Sequence, residues 1–165
     1  VGDPAPARRP LAVFDIDGVV ADVRHRLHHV ESKPKNWDAF FAGAAEDPPI
    51  PAGLALVAEY AADHDIVWLT GRPQRLRRAT IAWLRHHGLR AAVLHMRPGR
   101  DFRPAPRFKS EVVADIARRA DVAVVVDDDP AVVAALRAEG FPARLVEFIP
   151  REPVLAEAQD REGRT

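Results

Sequence analysis

Apolar residues along this chain come as short uninterrupted runs, separated by longer stretches in which they recur every three or four positions. Leu11-Ala12-Val13-Phe14, Ile66-Val67-Trp68-Leu69, Ala91 to Met96, Val122 to Val126 and Ala143 to Phe148 are short and rich in β-formers, which predicts strands. Between them, Leu54 to Ala62 sets Leu54, Val57, Ala58 and Ala61 on one helical face. Gln74 to His87 does the same with Leu76, Thr80, Ile81 and Leu84, and Gly88 stands where a helix stops. A helix opening at Lys109 turns Val112, Val113, Ile116 and Ala117 inward, and Ala131 to Glu139 ends at Gly140. Strands alternating with helices predict an α/β fold: a Rossmann-like, doubly wound parallel sheet of about five strands, covered on both faces.

The pattern lapses in two places. Asp22 to Phe41 is polar, basic and helix-compatible but interrupted at Pro34, and Asp47-Pro48-Pro49-Ile50-Pro51 is too proline-rich for helix or central strand. Residues 19–52 are therefore expected to form a small cap inserted after the first strand of a single domain over 11–150. Residues 1–10 are expected to be a disordered tail, and 151–165 a polar, frayed C-terminal tail.

Composition narrows this picture. With 47% apolar and 29% charged residues, the chain is globular and not disordered. It has no cysteine, which removes disulfides, thiolate metal sites and cysteine nucleophiles, and makes a reducing compartment the simpler expectation. The first ten residues lack the apolar core of a signal peptide, and no apolar run approaches the roughly 20 residues that span a bilayer. A cytoplasmic protein without a membrane partner is expected. Net charge is zero, yet Gly71 to Ser110 holds ten Arg and one Lys against the single acid Asp101. The middle of the chain is strongly basic and the remainder correspondingly acidic.

The chemistry-bearing residues follow predicted strands, where open α/β sheets place their sites. They are Asp15-Ile16-Asp17-Gly18, Thr70-Gly71-Arg72, Lys109 at a helix start, and Asp127-Asp128. Taken singly, each has an ordinary reading: an Asx turn, a strand-end hydroxyl, a solvated lysine, a capped helix. In this order on this pattern they resemble the haloacid dehalogenase superfamily, whose members are mostly Mg²⁺-dependent phosphatases. The resemblance implies Asp15 as nucleophile forming an aspartyl-phosphate, and Asp17 as general acid–base. It implies Mg²⁺ held by Asp15, the Asp17 carbonyl and Asp128, with Asp127 alongside. Thr70 and the Gly71 amide would take phosphoryl oxygens, and Lys109 would balance charge. No dinucleotide or P-loop glycine signature follows any strand.

A closer resemblance, over residues 11 to 148, is to the phosphatase domain of phage-type polynucleotide kinase-phosphatases, which act on nucleic-acid 3′-phosphate ends. It rests on Asp15-Ile16-Asp17-Gly18, Arg26, Ile66 to Arg72, Thr80-Ile81-Ala82-Trp83-Leu84, Met96-Arg97 with Asp101-Phe102-Arg103, Lys109, and Val126-Asp127-Asp128. It implies that Arg26, Arg72 and Arg103 bind near the phosphate. The chain departs from the family at Val19, where Thr is usual, at Ala105, where Asp is usual, and at Asp129, where Arg is usual. Asp129 is read instead as the cap of the helix at Pro130. The basic middle independently suits a polyanionic substrate, and Trp37 reads either as a stacking ring or as a core side chain. With no P-loop, 5′ phosphorylation would need a separate polynucleotide kinase as partner. The alternatives are a nucleotidase or small-metabolite phosphatase, and a silent nucleic-acid-binding module.

Overall fold

In a computed structural model describing residues 8–163, the apolar runs pair as one parallel sheet. Its strands are β1 (Leu11–Phe14), β2 (Asp65–Pro73), β3 (Val93–Arg97), β4 (Val122–Asp127) and β5 (Ala143–Leu145), in the order β3-β2-β1-β4-β5. Sequence order reverses at β1, so the carboxyl ends of β1, β2 and β4 flank a switch point. The helices are α1 (His28–Glu31), α2 (Trp37–Ala42), α3 (Pro51–Ala61), α4 (Arg77–His86), α5 (Ala105–Ala117), α6 (Pro130–Ala138) and α7 (Pro153–Asp160). Among the described residues no helix is long and apolar enough to cross a membrane.

Burial on both faces explains why the strands read as unbroken apolar runs. Ala12 and Phe14 of β1 point to one side with Val124 and Val126, and meet Leu56, Val57, Trp83 and Leu84 of α3 and α4. Val13, Val67, Leu69 and Val125 point to the other and meet Phe108, Val113, Val132 and Leu136 of α5 and α6. Trp83 anchors α4 by donating its indole N–H to the Asp47 carbonyl at 2.8 Å.

Three expectations are corrected. The second strand does not stop at Leu69: β2 continues through Thr70-Gly71-Arg72 to Pro73, with an irregular register between Thr70 and Pro73 opposite β3. The helix carrying Lys109 begins at Ala105, after Pro104 sets the entry, so Lys109 lies one turn inside it. Within the described residues the C-terminal tail is not frayed. Residues Pro153–Asp160 form α7, whose Leu155 is buried with Val23, Leu27, Val30, Phe40 and Phe41 of the insert. Two apolar anchors three residues apart, Leu155 and Ala158, suffice once the insert supplies a surface. Within 19–52 the chain forms α1, α2 and short 3₁₀ turns, parted around Pro34, and α3 begins at Pro51. The expected tail at 1–10 lies outside the described residues as far as residue 7.

Candidate active site

The site forms where the chain leaves β1. Asp15 donates its N–H to the Val126 carbonyl at 3.0 Å, extending the sheet by one bond. The backbone then turns: Val20 and Ala21 both donate N–H groups to the Ile16 carbonyl, at 2.9 and 3.0 Å. This turn sends Asp15 and Asp17 to different partners. Gly18 is required there twice over, with φ at +76° and with Asp128 so near that a Cβ would lie 2.1 Å from its Oδ2.

Asp15 sits over a buried ammonium. Lys109 Nζ donates to Asp15 Oδ2 and to Asp127 Oδ2, each at 2.7 Å, and all three side chains are almost wholly buried. The other Asp15 oxygen accepts the Ile16 N–H at 2.7 Å, and Asp127 Oδ1 accepts the Asp129 N–H at 3.0 Å. Burial works against charge on Lys109, but Asp127 and Asp15 outweigh it and push its pKa up. Burial pushes Asp15 up to about 7; Lys109 opposes this, while Asp127 and Asp17 add to it. Asp128 is also pushed well up, by burial and then by Asp127 and Asp15.

Such crowding of carboxylates is what a divalent cation relieves. Asp15, Asp127 and Asp128 each bring an oxygen within 4.8 Å of the others. The three carboxylates alone, an all-oxygen set, suit Mg²⁺, and Asp128 itself fills the space that a side chain at position 18 would take. The Asp17 side chain stands apart from that cluster. Of the predicted metal positions it is the one that could contribute only through its carbonyl.

Asp17 instead faces two arginines. Its Oδ1 accepts from Arg72 Nε at 2.9 Å, from Arg72 Nη2, and from Arg26 Nη2 at 3.3 Å. Burial opposes charge on Asp17, yet Arg72 and then Arg26 hold its carboxyl below the usual range. Thr70 is buried within β2, where the register with β3 becomes irregular, its Oγ1 accepting the Arg72 N–H at 3.2 Å, with Gly71 buried beside it. Asp15, Asp17, Thr70, Gly71, Arg26, Arg72, Lys109, Asp127 and Asp128 thus converge at the carboxyl edge of β1, β2 and β4.

Arg103 does not join them. Its guanidinium is held by Asp101, with Nε donating to Oδ1 at 3.0 Å and Nη2 to Oδ2 at 2.6 Å, and by Glu111 on α5. Arg97 likewise serves the loop after β3, donating to the Arg103 carbonyl at 2.8 Å over the Phe108 ring. Arg77 buttresses β3 through the Leu94 carbonyl at 2.8 Å. Much of the basic middle therefore supports the fold, while Arg78, Arg85, Arg90 and Arg100 are exposed.

Two residues tied to the site by ion pairs escaped the sequence reading. Asp47, buried in what reads as a bare proline loop, accepts Arg26 Nε at 2.8 Å on Oδ1. Its Oδ2 accepts Arg26 Nη2 at 2.9 Å and Arg72 Nη2 at 2.7 Å, and Oδ1 also meets His25 Nε2 at 2.7 Å. The available signal was stoichiometric: two arginines buried at one site need more than the single carboxylate of Asp17. The second is Arg151, whose Nη2 lies 2.8 Å from Asp129 Oδ2. Asp129 does cap α6, accepting the Ala131 N–H at 2.8 Å, but this ion pair also ties it to the chain entering α7.

Comparison with known proteins agrees with this geometry. A sequence-family profile described as the polynucleotide kinase PNKP phosphatase domain matches residues 10–147. No curated protein matches the chain. Among solved structures, a chain of the Pnkp1/Rnl/Hen1 RNA repair complex is 21% identical with a TM-score of 0.68, over 88% of this chain and 44% of that one. This chain thus spans less than half the length of that relative. The class C acid phosphatase from Bacillus anthracis is 18% identical with a TM-score of 0.61, over 81% of this chain and 60% of its own. A haloacid dehalogenase-like family protein from Streptococcus pneumoniae is 13% identical with a TM-score of 0.59, over 93% and 92%. At these identities the structures speak for the fold. The profile spans the whole sheet and every strand-end residue above, and the chain belongs to the polynucleotide kinase phosphatase-domain family of haloacid dehalogenase-type phosphatases.

Proposed function

We propose that this chain is a Mg²⁺-dependent phosphomonoesterase that removes 3′-phosphates from nucleic-acid ends through an aspartyl-phosphate on Asp15. The observation that carries the reading is the buried Asp15–Lys109–Asp127 bridge beside Asp128, facing the Asp17–Arg72–Arg26 group across one turn. A bound Mg²⁺, held by Asp15, Asp127, Asp128 and the Asp17 carbonyl, supplies the positive charge that lets a phosphate dianion approach these carboxylates.

In the first step an Asp15 oxygen attacks phosphorus, and the bond from phosphorus to the ribose 3′ oxygen breaks. Asp17 gives that oxygen its proton. In the second, Asp17 takes a proton from water, which attacks phosphorus and displaces the Asp15 carboxylate, releasing inorganic phosphate. Thr70 Oγ1 and the Gly71 amide bind phosphoryl oxygens, and Lys109 neutralises charge as it develops. In the free protein Arg72 and Arg26 hold Asp17 ionised. An entering phosphate competes for their N–H groups, and Asp17, relieved of those donors, takes up from solvent the proton that the leaving oxygen needs and regains one from the attacking water in the second step.

The family match and the RNA repair complex among the structural neighbours support nucleic-acid ends over small metabolites. A kinase outside these 165 residues would then be the partner for 5′ ends. The test sets 3′-phosphorylated DNA and RNA oligonucleotides against 3′- and 5′-mononucleotides and an aryl phosphate, with Mg²⁺ and with chelator. Highest kcat/KM on the oligonucleotides, lost on chelation, is the expected result. Equal or higher values on mononucleotides would make this a nucleotidase with a basic rim.

A further inference from the structure

A groove of about 590 Å³ opens beside the site, between the insert and the loop that follows β3. Lys35, Trp37 and Phe41 of the insert line it together with Arg75, Arg97 and Phe102. It starts at the phosphate end of the sheet: Pro73, in its wall, follows Arg72 and pairs with Arg97 across β2 and β3. Its size falls in the range of about 300–1,000 Å³ typical of small-molecule sites, and its lining mixes rings with cations.

We propose that this groove holds the unpaired nucleotides carrying the scissile phosphate, with Trp37 as the platform on which a base stacks. The inference rests on the phosphatase reading above and specifies the form of its substrate. Trp37 rests on Phe40 and Phe41, with ring centroids 5.6 and 6.0 Å away, yet remains partly exposed at the groove. Phe102 is the most exposed large apolar side chain among the described residues, at 59%. A ring held from behind and still partly exposed can take a nucleobase, and every base offers a π-face. A duplex has its faces covered by neighbouring pairs, so the geometry suits a frayed or single-stranded end.

The cations fit the same occupant. Arg75 lies 5.3 Å over the Phe41 ring and pairs with Asp38 at 3.1 Å, with both partners of that pair more than half exposed. Exposed pairs of this kind contribute little, so a backbone phosphate can take Arg75 from Asp38. Lys35 stands 5.9 Å from the Trp37 ring, at the insert edge of the groove.

The protein provides its own reporter. Of its three tryptophans, Trp68 and Trp83 are buried at 0% and 4% exposure, so quenching by an added base reads Trp37. A single-stranded 3′-phosphorylated oligonucleotide should quench the fluorescence of the intact chain, and one whose last two nucleotides are abasic should not. In kinetics, Trp37→Ala should lower the ratio of kcat/KM for oligonucleotide over aryl phosphate by about tenfold, through KM, in the range seen for loss of one stacked base. Trp37→Phe should restore most of it, and Phe102→Ala should move the ratio in the same direction. An unchanged ratio in Trp37→Ala, or equal quenching by abasic ends, overturns the groove assignment even if oligonucleotides remain preferred. A wild-type protein that does not prefer oligonucleotides removes the phosphatase-substrate reading and this inference with it.

Discussion

At the scale of single residues, the site is two groups of acids told apart by their cations. Lys109 answers Asp15 and Asp127, and the two arginines answer Asp17 and Asp47. Asp47 is the positioning residue of the second group, since its two oxygens fix both guanidiniums and a histidine. Asp47→Ala would leave Arg26 and Arg72 buried beside a single carboxylate. Breaking a buried pair costs about 3–5 kcal/mol. At about 2–4 °C per kcal/mol for a chain of this size, the expected loss in Tm is roughly 6–20 °C. Calorimetry checks this; a shift under about 2 °C, less than 1 kcal/mol, would show that the pair network carries no stability. The difference between what was legible and what was not lies in distance along the chain. Asp15, Asp17, Thr70 and Asp128 announce themselves by their neighbours and by the strands they follow. Asp47 has meaning only through Arg26 and Arg72, which are 21 and 25 positions away, and a proline-rich loop gives no local cue that its one acid is buried.

At the scale of elements, the parallel sheet was legible because both faces are buried and the strands read as continuous apolar runs. The element that was missed, α7, carries too few apolar positions to register. It folds because the insert offers Leu155 a surface, and because Arg151 reaches Asp129 at the start of α6. The account predicts coupling between these two ends of the molecule. Arg151→Ala and Asp129→Ala should each destabilise, the first by leaving Asp129 without its counter-charge, the second by removing the α6 cap as well. Together they should fall short of additivity by about 1 kcal/mol or more, as expected for residues in one ion pair. A double-mutant cycle by urea unfolding measures this, and additive effects would separate α7 from the site.

At the scale of the whole molecule, charge is zero in sum but divided in space. The basic middle looked like a single polyanion grip; folded, Arg72, Arg77, Arg97 and Arg103 are committed to internal partners. What remains exposed beyond the site includes Arg75 at the groove and the scattered Arg78, Arg85, Arg90 and Arg100. The acidic remainder gathers Asp15, Asp127 and Asp128 into a cluster holding more carboxylates than Lys109 alone neutralises. Mg²⁺ should therefore stabilise the fold, by about 2.7 kcal/mol at a hundredfold excess over its Kd. Thermal unfolding across a Mg²⁺ titration, reversed by chelator, is the check. The Asp128→Ala variant should respond much less than wild type. No Mg²⁺ dependence in the wild type would argue against a metal centre formed by these three carboxylates.

The central claim is that the phosphoryl group passes through Asp15. A single-turnover reaction with a 3′-end-labelled phosphate oligonucleotide and Mg²⁺, quenched in acid within the first turnover, tests it most directly. The account predicts transient label on the protein, mapped to the peptide containing Asp15, absent from Asp15→Asn and decaying as inorganic phosphate appears. Phosphate released at the wild-type rate with no labelled protein at any time, or label retained in Asp15→Asn, would contradict it.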